Sequence, residues 1–327
     1  MHVSSGRWLL GLGLALTTAV LWGLLPIKLK PVLASMDPIT VTWYRLISAG
    51  LVLLVWLAAR KRLPSFSKLD GRYWLLAVAI IGLVLNYVAY LMGLKRLSAG
   101  TTQLVIQLAP IFLLLGSVVI YREEFSRAQQ IGLLVLLTGF ALFFNQRWVE
   151  LLTSLTQYTA GILIMVFAAL TWAFYGLAQK QLLTQWSSVQ IMMVIYLGCA
   201  SLLTPWAEPA QLFELNTVQL WLLLACCLNT LVAYGAFAEA LAHWQASRVS
   251  AMLAVTPLIT FACAAVGSLI WPLWITAEPL NVLAYTGAAL VALGSAQTAL
   301  DFRRVLQNRR LKRELKLAAL QSEKGAH

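Results

Sequence analysis

"WLLAVAIIGLVLNYVAYLMGLKRLSAGTTQLVIQLAP", residues 74–110, is an apolar run that carries Asn86, Tyr87 and Tyr90, turns at Lys95–Ser98, and re-enters as a second apolar run with Gln103, Gln107 and Pro110. The same order returns 147 positions later in "WLLLACCLNTLVAYGAFAEAL" (221–241), with Trp74 matched by Trp221, Tyr87 by Tyr234, Leu94 by Leu241, Ala99 by Ala246 and Pro110 by Pro257. Eight identities in 37 positions are few, but they keep register across a turn, which points to a duplicated unit.

The surrounding chain says what medium that unit occupies. Of the 327 residues, 61% are hydrophobic and only 11% are charged, against about 25% charged in a soluble domain. The chain is therefore expected to be an all-α polytopic membrane protein. Apolar stretches of about 20 residues predict ten spans, at 8–27, 38–59, 74–94, 99–121, 127–144, 159–180, 188–207, 218–240, 248–271 and 280–300. The first follows a lone Arg7 as a secretory signal would. Its length, Trp22 and the recurrence of a similar segment deep in the chain predict that it is retained.

Further matches extend the duplication. "LWGLLPIKLKPVLASMDPITVTWYRL" aligns with "TWAFYGLAQKQLLTQWSSVQIMMVIYL" at an offset of 150, placing Trp22 on Trp172, while Glu123, Gly132 and Gly139 match Glu278, Gly287 and Gly294 at an offset of 155. The expected units are a first repeat over 8–144 (spans 1–5), a linker over 145–158, a second repeat over 159–300 (spans 6–10) and a basic tail over 301–327. Because each unit has an odd number of spans, the second must enter the membrane upside down. Such inverted repeats build carriers whose substrate site lies near the midplane between the halves.

Lysine and arginine set the orientation, since cationic loops stay on the cytoplasmic side. With both termini inside, 18 basic residues fall on that side and five (Lys28, Lys30, Lys95, Arg96, Arg147) on the other, leaving Arg45 within span 2. The net charge of +12 is then explained by topology, and nucleic acid is not expected as a partner. The tail reads as a basic helix lying on anionic headgroups.

The order and spacing of "LWGLLPIKLK", "WYRLISAGLVLL", Ala109-Pro110 and "REEFSRAQQIGLLVLLTGFAL" resemble the EamA domains of the drug/metabolite transporter superfamily, over about residues 8–300. The resemblance implies a multi-pass bacterial inner-membrane transporter, in a family that includes exporters of amino acids and other metabolites. It carries over Trp22, Arg45, Pro110, Glu123, Pro257 and Glu278. The usual Gly-Glu before span 5 is Arg122-Glu123 here, and the second copy places Glu278 21 residues after Pro257 against 13 in the first copy, with "WPLWIT" inserted.

The polar residues of the opening stretch lie deep. Asn86 is twelve residues past Trp74, about 18 Å into the bilayer. Asn86 and Tyr90 share one helix face with Tyr87 beside them, and Gln103 and Gln107 share another. An unpartnered amide in hydrocarbon costs several kcal/mol, so these side chains face the bundle interior, where they either bind solute or hold helices together. The second half offers Asn229, Tyr234, Thr256 and Thr260. With Trp22, Arg45, Trp172 and Tyr175 they make up an expected substrate-binding set suited to neutral or zwitterionic amphipathic solutes. Pro110 and Pro257 break a backbone hydrogen bond in mid-span and are candidate paired hinges. Arg45 requires compensation by backbone carbonyls, a helix end, water or a substrate carboxylate, or else it snorkels to the outer headgroups.

Other chemistries find no support. His2, His243 and His327 are scattered, Cys199, Cys226, Cys227 and Cys263 lack metal or redox spacing, and "GLGLAL" is not a dinucleotide fingerprint. No cofactor, metal or catalytic residue is expected. Glu239 is the sole acid within a span, so flux down a solute gradient or exchange is favoured, with proton coupling open. A non-transporting structural protein and an intramembrane enzyme are the rival classes, and self-association into a homodimer stays open.

Overall fold

A computed structural model describes residues 8–66, 71–122, 125–243, 249, 252–270, 272, 275 and 280–299. Glu123, Glu278, Arg248 and the 301–327 tail lie outside the described residues. The described secondary structure is helical: α1 (Trp8–Val32), α2 (Pro38–Ala59), α3 (Tyr73–Arg96), α4 (Ala99–Val105), α5 (Leu108–Tyr121), α6 (Arg127–Phe143), α7 (Trp148–Thr153), α8 (Gln157–Leu182), α9 (Ser188–Leu203), α10 (Thr217–His243), α11 (Thr256–Ile270) and α12 (Val282–Ala299). Among the described residues, seven segments are long and apolar enough to cross a membrane, and Arg127–Phe143, Thr256–Ile270 and Val282–Thr298 are shorter apolar helices. Their outer surfaces stay oily, with Val55, Trp74, Val119, Leu134, Leu269 and Leu293 all exposed. A water-soluble protein would not leave so wide an apolar surface bare.

Local chemistry fixes where helices begin. The Asp37 carboxylate accepts from the N–H groups of Ile39 and Thr40 ahead of Pro38, which needs no partner at the first helical position. Ser126 with Gln129, and Ser187 with Gln190, form reciprocal capping boxes at the starts of α6 and α9. Ser98 and Thr156 cap α4 and α8.

Packing joins the two halves of the chain rather than filling each half. The main partner of α1 is α10, of α2 is α9, of α3 is α8, and of α6 is α12; α4 packs on α11, α5 on α8, and α1 also on α11. The pairs run antiparallel: Asn86 reaches Ala168 while Gly93 lies against Gly161, and Asn229 reaches Leu21 while Gln219 reaches Pro31. Among the described residues, exchanging α1, α2, α3, α5 and α6 for their counterparts in the second half turns their pairings with α8, α9, α10, α11 and α12 into one another.

The α6–α12 pair is a backbone seam. A Cβ on Gly139 would stand 2.8 Å from the Gly287 carbonyl oxygen, and one on Gly132 would stand 2.9 Å from that of Gly294. Small residues let helices approach this closely, which is how van der Waals contact substitutes for a hydrophobic driving force in lipid. At the end of the seam the amides of Asn145 and Asn281 donate to each other at 3.1 and 2.9 Å.

Two expectations change. The segment expected as span 4 is not one continuous helix: it turns at Ile106–Gln107, three residues before Pro110. Proline cannot supply the N–H that would reach Ile106, and its ring crowds that carbonyl. The Ala109 N–H takes the Ile106 carbonyl instead, at 2.9 Å in a tighter turn. The first span also ends later than expected. α1 carries on through Pro26 and Pro31 to Val32, so Lys28, expected in an outer loop, sits half-buried within the helix.

Candidate functional site

The interruption in the first half has a counterpart in the second. Residues 254–255 form a turn, and Pro257 again follows three residues after Ala254. The Gln107 side-chain amide donates to the Ala254 carbonyl at 3.2 Å, which satisfies one of the backbone acceptors that an interrupted helix exposes. Gln107 and Ala254 are the equivalent positions of the two copies, so the two broken helices touch at matching points. Below this contact the Thr260 hydroxyl donates to the Gly23 carbonyl at 2.8 Å and to the Thr256 carbonyl at 3.1 Å, while Thr256 donates to Leu253. Pro110 and Pro257 flank the paired turns, the geometry a hinge would need.

A second pair of equivalent residues meets beside it. Tyr87 on α3 and Tyr234 on α10 lie within electrostatic range of each other. Trp22 lies edge-on to Tyr234 with ring centroids 5.2 Å apart, Phe237 is 5.7 Å from Trp22, and Tyr196 is 6.2 Å from Tyr234. Edge-to-face rings of this kind favour one another by about 0.5–1.5 kcal/mol beyond area burial. They form an aromatic knot where α1, α3, α9 and α10 converge.

Arg45 enters the knot from α2. Its residue is 97% buried, with 3% of its surface exposed. The Nε–H donates to the Thr230 hydroxyl at 3.1 Å, and the guanidinium carbon sits 4.8 Å from the centroid of the Tyr87 ring. The side chain is thus turned inward along α10 and does not snorkel outward. An arginine at depth costs about 2.5–3.5 kcal/mol on insertion scales, and a cation–π contact with one neutral hydroxyl offsets part of that. Lys28 on α1 is within electrostatic range of Arg45. Among the described residues the acids are elsewhere: Glu150 pairs with Arg147, Glu239 with His243 at 3.2 Å, and Asp37 caps α2.

The remaining expected residues separate into two kinds. Asn86 and Asn229 bridge helices, donating to Ala168 at 2.8 Å and to Leu21 at 3.0 Å. The Tyr90 hydroxyl donates to Gln103 Oε1 at 2.9 Å, so these two bond each other. Tyr175, beside Trp172 at 6.2 Å, donates to the sulfur of Met192 at 3.2 Å. Open hydrogen-bonding capacity is left on the Tyr196 hydroxyl and on Asn229 Oδ1, both buried and without a partner among the described residues.

Thr230, Tyr196 and Lys28 are parts of this cluster that sequence reasoning passed over. Thr230 was hidden beside Asn229, and Tyr196 stood next to Ile195, the position aligned with Arg45. Lys28 follows Pro26 and carries the first charge after the apolar run, so the sequence held no signal that α1 continues past it. A separate cavity of about 290 Å³ lies between the ends of α6, α8 and α12, walled by Phe143, Arg147, Glu150, Tyr158 and Leu280 among others.

Comparison with known proteins places this architecture. The profile of the EamA-like transporter family matches the chain twice, over residues 9–145 and 159–299. The Escherichia coli (strain K12) protein named as the uncharacterized inner membrane transporter YhbE is 43% identical over 296 residues, which cover 90% of this chain and 92% of that protein. An uncharacterized transporter of Haemophilus influenzae is 39% identical over 292 residues, 89% of this chain and 95% of its own length. A solved crystal structure shares the fold at a TM-score of 0.60 and 17% identity, covering 88% of this chain and 96% of the other.

Proposed function

The chain belongs to the EamA-like transporter family, and on that premise we propose that it is a secondary carrier that exports small metabolites across the bacterial inner membrane by alternating access, with no enzymatic activity of its own. It is a multi-pass helical protein whose relatives are named inner membrane transporters.

One observation carries the mechanistic part: two helices interrupted at equivalent positions meet through the Gln107–Ala254 hydrogen bond. Interrupted helices near the midplane are where carriers of inverted-repeat design bind and gate their solutes, because the broken ends expose backbone dipoles and can be re-aimed. The exchange symmetry of the packing partners and their antiparallel sense support ten spans arranged as two inverted five-helix repeats. In this reading both termini are cytoplasmic, Pro110 and Pro257 let the paired turns flex, and the aromatic knot with Arg45 is the solute-contacting centre. Rocking of one set of helices against the other exposes that centre to each side in turn.

The test is solute flux. Purified protein in liposomes loaded with a bacterial metabolite extract is expected to release a subset of compounds faster than protein-free liposomes, and the release should saturate with internal concentration. Release equal to that of protein-free liposomes for every compound would overturn the carrier reading.

A further inference from the structure

Building on the carrier reading, we propose that Arg45, with Lys28, forms an anion-binding subsite whose solutes are small organic carboxylates carrying net negative charge, in preference to the neutral or zwitterionic solutes that the composition of the spans suggests. Arg45 as a residue is 97% buried, and Nε is its sole nitrogen with a protein acceptor among the described residues. A guanidinium carries five N–H donors and accepts nothing. Thr230 is a neutral acceptor already donating to the Cys226 carbonyl at 3.0 Å, and the Tyr87 ring offers only its face. The Tyr196 hydroxyl, also buried without a partner, lies within electrostatic range of the same guanidinium.

The charge balance points the same way. Arg45 and Lys28 are like charges in electrostatic range of each other, and their other charge-sensitive neighbours are tyrosines and the thiols of Cys226 and Cys227. Every described acid is engaged at a helix end or loop or lies in the 204–216 connection. A buried arginine and a half-buried lysine without a described counter-anion favour an acceptor-only partner. A carboxylate matches the planar fork of arginine with two parallel bonds. The rings of Trp22, Tyr234 and Phe237 next to it would cover the solute's apolar body.

The experiment uses full-length protein in liposomes of neutral phosphatidylcholine, so that no anionic headgroup competes, loaded with a whole bacterial metabolite extract and read by mass spectrometry. The wild type is expected to release net-anionic carboxylates preferentially. Arg45→Gln should lower their release at least tenfold, Arg45→Lys should restore part of it, and Lys28→Gln should weaken the preference for anions over zwitterions. Melting temperature and a monodisperse elution profile show whether each variant is folded, and failure of Arg45→Gln to fold leaves the decision to the charge class released by the wild type and to Lys28→Gln. Release of zwitterions, cations or phosphate esters in preference to carboxylates, or carboxylate release unchanged in folded Arg45→Gln, would overturn the subsite while leaving the carrier reading standing. No release of any compound would instead sink the carrier reading itself.

Discussion

The Gln107 amide donates to the carbonyl of Ala254 at 3.2 Å, joining the turn of one interrupted helix to the equivalent turn of the other. Both groups are buried, so removing the donor leaves a carbonyl unsatisfied, at about 1–3 kcal/mol. If the paired turns act as a gate, Gln107→Leu should cut the initial rate of flux at least tenfold while protein abundance in the membrane stays within about twofold. An equal fall in rate and abundance would mean that the bond only holds helices together.

The glycine seam makes a sharper structural prediction. A Cβ on Gly287 would stand 2.4 Å from the Phe143 backbone nitrogen and 2.6 Å from the Gly139 oxygen, whereas one on Gly235 meets nothing within 4 Å. Backbone cannot yield as a side chain does, so Gly287→Ala should destabilise by about 1–3 kcal/mol or more through overpacking. Gly235→Ala should leave the melting temperature in detergent unchanged. Equal melting temperatures for the two variants would show that the seam is looser than described.

Acid should weaken the segment joining α6 to α8. The Glu150 carboxyl is held below its ordinary value of 4.5, first by the Thr156 hydroxyl and then by the Arg147 guanidinium. A carboxyl with a depressed folded-state value contributes stability above its unfolded value and loses it as pH falls through the folded one. The melting temperature of wild type should exceed that of Glu150→Gln at neutral pH, and the gap should close in acid, below the ordinary carboxyl range. A gap that persists unchanged in strong acid would remove Glu150 from the account.

Topology can be read from single cysteines placed in a variant lacking Cys199, Cys226, Cys227 and Cys263. A cysteine at Lys61, between α2 and α3, should react with a membrane-impermeant thiol reagent only from the cytoplasmic side. One at Val149 in α7, which is well exposed, should react only from the periplasmic side. Labelling of both from the same side would break the inverted arrangement.

Much of this architecture was legible in the sequence because hydropathy reports burial in lipid directly, and because the duplicated residues kept their spacing. Trp74 could be aligned with Trp221, and Gly132 with Gly287, as corresponding positions from the sequence alone. What stayed hidden depended on tertiary contact. The break at Ile106–Gln107 could be placed only near Pro110, since a proline says that a helix must yield without saying whether it bends or opens. The partners of Asn86 and Tyr90 lie across helix interfaces whose rotation no pattern specifies. Arg45 was recognised as needing compensation, yet Thr230 and the Tyr87 ring are 185 and 42 residues away in the chain. Lys28 was misassigned because hydropathy ends a span at the first charge, whereas the α1 backbone continues past it.

Each helix of the amino-terminal half has its principal neighbour in the carboxy-terminal half, and that bears on how the protein is made. When α1–α6 have left the ribosome and entered the bilayer, the surfaces they will bury have nothing yet to bury against. The early product must wait in lipid as separate or loosely touching helices until α8–α12 arrive, the second of the two stages by which membrane bundles assemble. It follows that the two halves, made as independent chains in the same cell, should find each other and reconstitute the bundle, while either half made alone should be cleared by proteases.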